Sequence, residues 1–347
     1  MNNFLIKLFT VSFPLLLTIC SVNYIVDPAN IFDENYLSKI VEILKRGENV
    51  SNIVNYDQRL LQKEVIKSGF FNPSTVVFGS SRGKLIDSEN TKENDLFNSS
   101  VTSGGLKDII AVYQMYKSEN RLPKKIYLSM DPWMFNKQKK EEWKSIGEYY
   151  YDFKNIPFEK NVTSTNHYSS IISLTYFQTA IKALPKFLNG SNEPLGTNEV
   201  YNDGYTILRD GSLVYPSFIS ETSSRDKEVK ILEYVKNRKK RSYKLSDELW
   251  SDFELLVKSI NDENIDLTLI LSPYHPLAFK ELESFLPDEK VVEERLKEMS
   301  LSNKYRILGS FNPVLLNFND SLFIDAIHCN RKGIEKILNF EKDTNEY

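Results

Sequence analysis

The chain has 347 residues and a formal net charge of −3, from 44 Lys and Arg against 47 Asp and Glu. This balance argues against nucleic-acid binding, which needs a basic surface to neutralise phosphates. The two cysteines cannot form a disulfide framework, and no Cys/His spacing is typical of structural zinc. At about 150 residues per domain the length allows one large domain or two. We expect a globular body that needs no metal or other cofactor.

The amino terminus predicts a membrane segment. Residues 8–26 contain no charged side chain, and Lys7 stands directly before them. About 20 apolar residues cross a bilayer as a helix, and a preceding basic residue favours a cytoplasmic amino terminus. We expect residues 1–27 to be an uncleaved anchor, with a cleaved signal peptide as the alternative; Cys20 leaves a lipoprotein open, although Ile19 precedes it. Both main alternatives place the rest of the chain outside the cytoplasm, in the periplasm or at the cell surface.

Beyond the anchor, apolar runs of strand length alternate with stretches of helical spacing. This alternation predicts an α/β fold, with a mostly parallel sheet between helices. The predicted strands are 75–78, 125–130, 266–271 and 305–308, and the predicted helices are 105–117, 222–240, 246–262 and 288–300, with further helical spacing in 36–67 around a break at Gly47.

Residues 132–220 interrupt the alternation and are rich in Tyr, Asn and Trp. They contain a predicted hairpin, in which residues 205–208 and 212–215 flank Arg209-Asp210-Gly211, since Asp-Gly supplies the positive φ of such turns. We expect this region to be an insertion over one edge of the sheet. Its aromatic residues either belong to the core or stack on sugar rings.

Two serines follow the first predicted strand of the body. Ser80 and Ser81 come directly after 75–78 and Gly79, at the sheet edge where ligands of parallel α/β folds gather. There a serine Oγ is accessible, and backbone N–H groups can stabilise an oxyanion. The alternative is an ordinary turn with a helix N-cap.

A serine nucleophile needs a base and a carboxylate that orients the base. Asp325 and His328 can supply both from one segment, since only His328 of the three histidines has an acid this close before it. A surface pair capping the next helix is the alternative. His275 also follows a strand end and could bind substrate or compete as the base.

Two further strand ends carry candidate groups. Gly104 and Gly105 precede a predicted helix and offer an unobstructed N–H as a second oxyanion donor, or form a simple helix-entry loop. Asp131 ends the strand 125–130 and either lines the cleft or precedes a proline, Pro132, that stops the strand.

Together these segments resemble the SGNH/GDSL hydrolase superfamily. The resemblance is closest to its membrane-anchored bacterial branch, which includes alginate O-acetylation proteins and the D-alanyl-lipoteichoic acid transfer protein. It rests on Val26-Asp27-Pro28 after the anchor, Gly79-Ser80-Ser81-Arg82, Ser272-Pro273-Tyr274-His275 and Asp325-Ala326-Ile327-His328. The usual Gly-x-Asn-Asp block is not evident, and residues 132–260 match nothing in the family.

The resemblance implies a flavodoxin-like three-layer α/β/α sandwich over residues 28–347. It also implies that Ser81 is the nucleophile, that His328 and Asp325 complete a triad, and that the amides of Ser81 and Gly105 bind the oxyanion. We assign substrate binding to His275, Arg82 and Asp131, and expect no metal.

Together with the resemblance, these residues predict an exported serine O-acyltransferase or esterase. The resemblance implies that its substrate is acyl, most simply acetyl, esters of a cell-surface polysaccharide, and that a membrane-bound acyl-exporting protein is a partner. The rival prediction is a non-catalytic anchored scaffold subunit of a polysaccharide assembly or modification complex.

Overall fold

A computed structural model describes residues 2–28, 30, 32–33, 35–53, 56–137, 142–158, 168–188, 193–200, 203–220, 223–241, 244–282 and 287–340. Parts of the predicted insertion 132–220 therefore lie outside the described residues. The strands are β1 (Asn49–Ser51), β2 (Thr75–Phe78), β3 (Leu96–Asn98), β4 (Lys125–Met130), β5 (Leu195–Thr197), β6 (Thr206–Ile207), β7 (Leu213–Val214), β8 (Asp266–Leu271) and β9 (Tyr305–Gly309).

The helices begin at the amino terminus and alternate with these strands in the body. They are α1 (Asn2–Val26), α2 (Tyr36–Lys45), α3 (Gln58–Lys67), α4 (Ser88–Thr91), α5 (Leu106–Ser118), α6 (Gly147–Phe153), α7 (Tyr168–Ile171), α8 (Leu174–Leu188), α9 (Ser217–Ser220), α10 (Ser224–Lys239), α11 (Asp247–Asp262), α12 (Pro276–Leu282), α13 (Pro287–Ser302) and α14 (Arg331–Leu338).

A five-stranded parallel sheet in the order β3-β2-β4-β8-β9 forms the centre of the body. The α/β prediction is thus confirmed. Strands β2, β4 and β8 have the predicted bounds, because continuous apolar runs of this length are typical of strands buried on both faces.

Alternate residues of the strands enter two hydrophobic clusters. Val76 and Phe78 of β2 join the cluster that contains α5 and α11, whereas Val77 joins the cluster that contains α14. Helices therefore cover both faces of the sheet, and its carboxyl edge remains for the loops that follow β2, β4, β8 and β9.

A second, antiparallel sheet has the order β5-β1-β6-β7. The predicted hairpin is confirmed as β6 and β7, and Gly211 in its turn has φ +78°. The Asp210 carbonyl of this turn accepts a hydrogen bond from the Asn98 amide of β3, at 2.7 Å. The hairpin is thereby attached to the edge strand of the parallel sheet.

The amino-terminal helix meets the length and hydropathy of a membrane span over Leu5–Val26, with a mean hydropathy of 2.0. Its apolar side chains are exposed from Leu5 to Leu17, whereas Ile19, Asn23 and Val26 are buried. Such a helix serves as a membrane anchor or as a signal sequence.

Candidate active site

Ser81 lies at the carboxyl end of β2. Gly79 lets the chain pass close to β4, because a Cβ on this residue would lie 2.7 Å from the Ser129 Cβ. A short 3-10 turn, Ser81–Gly83, follows, and the Ser80 side chain caps it by accepting a hydrogen bond from the Arg82 amide. Ser80 is buried, while Ser81 is partly exposed. The local fold thus presents one of the two serine hydroxyls.

His328 and Asp325 lie on a tight turn between β9 and α14. The turn is closed by a bridge between Phe323 and Cys329, and by a 2.8 Å hydrogen bond from the Ile324 amide to the His328 carbonyl. The Asp325 carboxylate accepts hydrogen bonds from the amides of Ile327 and His328, at 2.9 Å each. These backbone donors fix the carboxylate beside the imidazole.

The structure brings Ser81, His328 and Asp325 together. The Ser81 Oγ lies 2.9 Å from His328 Nε2, and His328 Nδ1 lies 2.8 Å from Asp325 Oδ2. Burial alone would raise the pKa of Asp325, but its hydrogen bonds with His328 and with the two amides lower that pKa to about 2. Asp325 is therefore ionised near neutral pH and favours the His328 tautomer with a proton on Nδ1, which leaves Nε2 to accept the Ser81 proton.

Arg82 and Asp131 form a buried support beneath this group. The Arg82 Nη1 donates to Asp131 Oδ1 at 3.0 Å, and the other Asp131 oxygen accepts from the Ser80 hydroxyl. Both charged side chains are completely buried. Burial raises the pKa of Asp131, and the Arg82 charge and the Ser80 hydroxyl oppose this shift. We correct their assignment to substrate binding, because neither side chain reaches the surface of the site.

His275 also supports the site from within. Its side chain is 2% exposed, its Nδ1 accepts the Leu277 amide, and its own amide donates to the Ala326 carbonyl at 2.9 Å. The ring packs edge-on against Phe323. Burial lowers the pKa of His275. We correct the assignment of His275 to substrate binding, because its side chain does not reach the surface of the site. Nor does it take the place of the base, since the Ser81 hydroxyl contacts His328.

The predicted oxyanion glycines are already engaged. The Gly105 amide donates to the Asp108 carboxylate at 2.8 Å, and the Gly104 amide donates to the Val101 carbonyl at 3.0 Å. Gly105 is the N-cap of α5, so the helix-entry alternative describes it correctly. We therefore correct the oxyanion assignment of Gly105, which leaves the Ser81 amide, at the start of its 3-10 turn, as the predicted donor.

One group near the triad was not identified from the sequence. The Tyr215 ring, which follows β7, lies 6.4 Å from the His328 ring and 5.7 Å from the Tyr205 ring. Burial, with a smaller effect of the Asp325 charge, raises the pKa of Tyr215. The Arg209-Asp210-Gly211 turn indicated the hairpin, but no local pattern indicated that it would lie beside His328. By contrast Trp143 and Tyr150, in the same predicted insertion, belong to the core.

No protein-family model matches this chain, and no curated protein is significantly similar to it in sequence.

Two clefts elsewhere in the protein are separate from the group formed by Ser81, His328 and Asp325. One cleft is lined by Phe71, Phe97 and Arg209 and another by Tyr274 and Phe311, and neither contains Ser81 or His328. Within the described ranges no group of three or more His, Cys, Asp or Glu side chains could hold a metal ion. What the described residues provide is a partly exposed serine hydroxyl within 2.9 Å of an imidazole nitrogen, the arrangement that can activate a serine nucleophile.

Proposed function

We propose that this protein is an exported, membrane-anchored serine O-acyltransferase or esterase of the SGNH/GDSL type, acting on acyl esters of a cell-surface polysaccharide. The observation that carries the proposal is the hydrogen-bonded series of Ser81, His328 and Asp325, with distances of 2.9 and 2.8 Å. Two segments that are 247 positions apart in sequence supply it. An accidental surface pair of Asp and His would not require a serine at its Nε2.

The sheet order supports the fold that the proposal needs. Counted along the chain, the five parallel strands stand in the order 2-1-3-4-5, which is that of flavodoxin-like doubly wound sheets. In such sheets ligands bind outside the carboxyl ends of the strands, next to the point where the order reverses. Ser81 follows the strand at that point.

The proposed reaction has two steps. The Ser81 Oγ attacks the acyl carbonyl while His328 Nε2 takes its proton, and the Ser81 amide donates to the oxyanion. The intermediate expels its alcohol, which receives the proton from His328, and an acyl ester of Ser81 remains. In the second step, water or a sugar hydroxyl attacks the acyl ester of Ser81 while His328 takes its proton. The Ser81 oxygen then leaves and receives this proton from His328. Ionised Asp325 stabilises the transient imidazolium in both steps. An acceptor sugar would lie against Tyr205 and Tyr215, whose rings pair edge to face beside His328.

The arrangement of α1 supports a retained anchor. The Asn23 side chain in its last turn donates to the carbonyls of Ser170, Ile171 and Ser173 at 2.8–3.1 Å. Asp27, just after the helix, accepts the Tyr176 hydroxyl at 2.6 Å. Cleavage of a signal peptide at the end of α1 would remove the Asn23 donor and leave the three carbonyls without it. Since Lys7 precedes the span, the body is proposed to lie outside the cytoplasm.

One observation favours the rival function of a non-catalytic scaffold. Serine hydrolases stabilise the oxyanion with more than one donor, and the amides of Gly104 and Gly105 are both engaged. A scaffold would keep the fold and the buried support while making no acyl-enzyme.

The decisive test is covalent labelling of Ser81. The full-length protein should react with a fluorophosphonate serine probe and hydrolyse an acetyl ester such as p-nitrophenyl acetate. Ser81→Ala should abolish labelling and reduce turnover by about a thousandfold or more, with an almost unchanged melting temperature. Ser321→Ala, at an exposed serine, is the control. Wild-type protein that is neither labelled nor active would favour the scaffold, and unaltered turnover in Ser81→Ala would rule out Ser81 as the nucleophile.

A further inference from the structure

The side chains of α8 divide its surface into three faces. Leu174, Ile181 and Leu188 are spaced by seven residues and therefore share one face of a helix with 3.6 residues per turn. These three side chains are 63%, 45% and 72% exposed. Such a row of large exposed apolar side chains on one helix calls for an apolar partner.

The other two faces of α8 are accounted for. Ala180 is completely buried, with Phe177 and Leu184 half-buried beside it, and α8 packs against α1. Thr179 and Lys182 are exposed on the polar face. The apolar side of α8 is therefore only partly covered by the rest of the protein. The part that contains Leu174, Ile181 and Leu188 stays exposed.

The position of α8 along α1 indicates where the exposed apolar face of α8 lies relative to a membrane. The buried residues of α1 are Ile19, Asn23 and Val26, in its last two turns, whereas its earlier apolar side chains are exposed. A 22-residue span is about 33 Å long, close to the thickness of a bilayer core. If α1 spans the membrane, its last turns lie at the boundary of one leaflet, and a helix packed on them lies at the same depth.

We infer that α8 is an interfacial membrane helix. Its exposed face, formed by Leu174, Ile181 and Leu188, enters the acyl-chain boundary beside α1, and Lys182 remains towards the headgroups. Ile172, 61% exposed just before α8, extends the same apolar surface. The body would then be fixed to the bilayer by two elements, which restricts its rotation about a single anchor. This inference rests on the membrane anchoring in the proposed function and not on its chemistry.

The test uses the full-length protein in vesicles of phosphatidylcholine and phosphatidylglycerol. Cys20 and Cys329 are replaced by Ser, and single cysteines carrying an environment-sensitive fluorophore are introduced by Leu174→Cys and Ile181→Cys. Leu15→Cys reports on the anchor, and Leu301→Cys, at a side chain 90% exposed on α13, is the matched exposed control. Spin-labelled lipids should quench the labels at 174, 181 and 15, with a blue-shifted emission, and should leave the label at 301 unquenched.

The outcomes separate the inference from the anchor. Quenching at 15 with none at 174 and 181 would overturn the interfacial helix and keep the anchor. Absence of quenching at 15 would overturn both. A third outcome is that lipids do not quench the labels at 174 and 181 in vesicles, while in native membranes the same labels are shielded from iodide. This result would assign the exposed face to a protein partner and overturn the inference. The face is labelled at two sites, so that the test still works if one of the two variants does not fold. The melting temperature of each variant is compared with that of the wild-type protein.

Discussion

Ser80 and Ser81 are adjacent in the chain but stand in opposite environments. The Ser81 hydroxyl is partly exposed and faces His328, whereas the Ser80 hydroxyl is buried and donates to the Asp131 carboxylate. Position after a strand does not distinguish the two hydroxyls. What distinguishes them is the 3-10 turn that begins at Ser81, because it makes Ser80 the N-cap.

This contrast predicts different consequences of removing each hydroxyl. Ser80→Ala should keep a substantial share of esterase turnover but lower the free energy of unfolding by about 1–3 kcal/mol, because buried Asp131 loses a donor. Urea unfolding and acetyl-ester turnover measured on the same samples check this. If Ser80→Ala instead lost turnover with full stability, Ser80 would be the nucleophile.

Lys84 is a second residue whose environment sets a measurable property. Its side chain is buried, with 6% of its surface exposed. Burial, with a smaller effect of the Arg59 charge, lowers the pKa of Lys84 to about 7. The folded state therefore releases this proton near pH 7, while the unfolded chain keeps it up to the usual pKa of about 10.4.

Stability should consequently depend on pH through Lys84. Between pH 7 and about 10 the unfolded state binds more protons, so this residue makes the free energy of unfolding rise with pH. Lys84→Met should raise the free energy of unfolding at pH 6 by about 1 kcal/mol or more, and should reduce the rise between pH 6 and 9. Lys332→Met, at an exposed lysine of α14, is the control. Equal pH slopes in wild type and Lys84→Met would contradict the buried-cation assignment.

Arg82 joins three secondary-structure elements beneath the site. From the turn after β2 it donates to Asp131 after β4, and to the carbonyls of Ser272 and Pro273 after β8. Its guanidinium also lies 5.4 Å from the Tyr274 ring centre. One side chain thus fixes the relative positions of three loops at the carboxyl edge of the sheet. Arginine suits this role because its planar group presents several donors at once.

Removing this support should cost more than removing a surface arginine. Arg82→Met should destabilise the fold by about 3–5 kcal/mol, because it leaves Asp131 as an uncompensated buried charge. Arg306→Met, which breaks an exposed pair with Asp266, should cost no more than about 1 kcal/mol. Guanidinium unfolding of both variants provides the comparison, and equal costs would rule out the bracing role of Arg82.

At the level of the whole molecule, the amino-terminal helix is part of the tertiary structure. Asn23 and Asp27 bond to the segment from Ser170 to Tyr176, which lies about 150 positions further along the chain. Removal of the helix would break these contacts, which is why we propose that the anchor is retained.

The mature protein should therefore retain its first helix. Amino-terminal sequencing, or the intact mass of protein purified from membranes, should include residues 8–26. The protein should also resist extraction by carbonate, which releases peripheral proteins. A mature amino terminus after Val26 would contradict the anchor and, with it, the interfacial position of α8.

Local pattern was sufficient for the central strands. Residues 75–78, 125–130 and 266–271 were predicted with the bounds that the structure shows, because each is a short apolar run of a strand buried on both faces. The strands β1 and β3 were not predicted, since three residues are too few to show a period. The hairpin was predicted from Asp210-Gly211, whose turn chemistry is local.

The sequence by itself determined the α/β class and the membrane-length helix, because periodicity and hydropathy are properties of composition and order. The rarity of histidine singled out the pair of Asp325 and His328, whereas the choice of Ser81 over Ser80 came from the family resemblance. Only the tertiary structure decided which groups are exposed. Arg82, Asp131 and His275 resemble site residues by their positions after strands, but all three point into the protein. The Gly105 amide looks free until α5 places Asp108 beside it. Burial and hydrogen-bond partners depend on residues distant in sequence, and packing, not local order, brings those residues together.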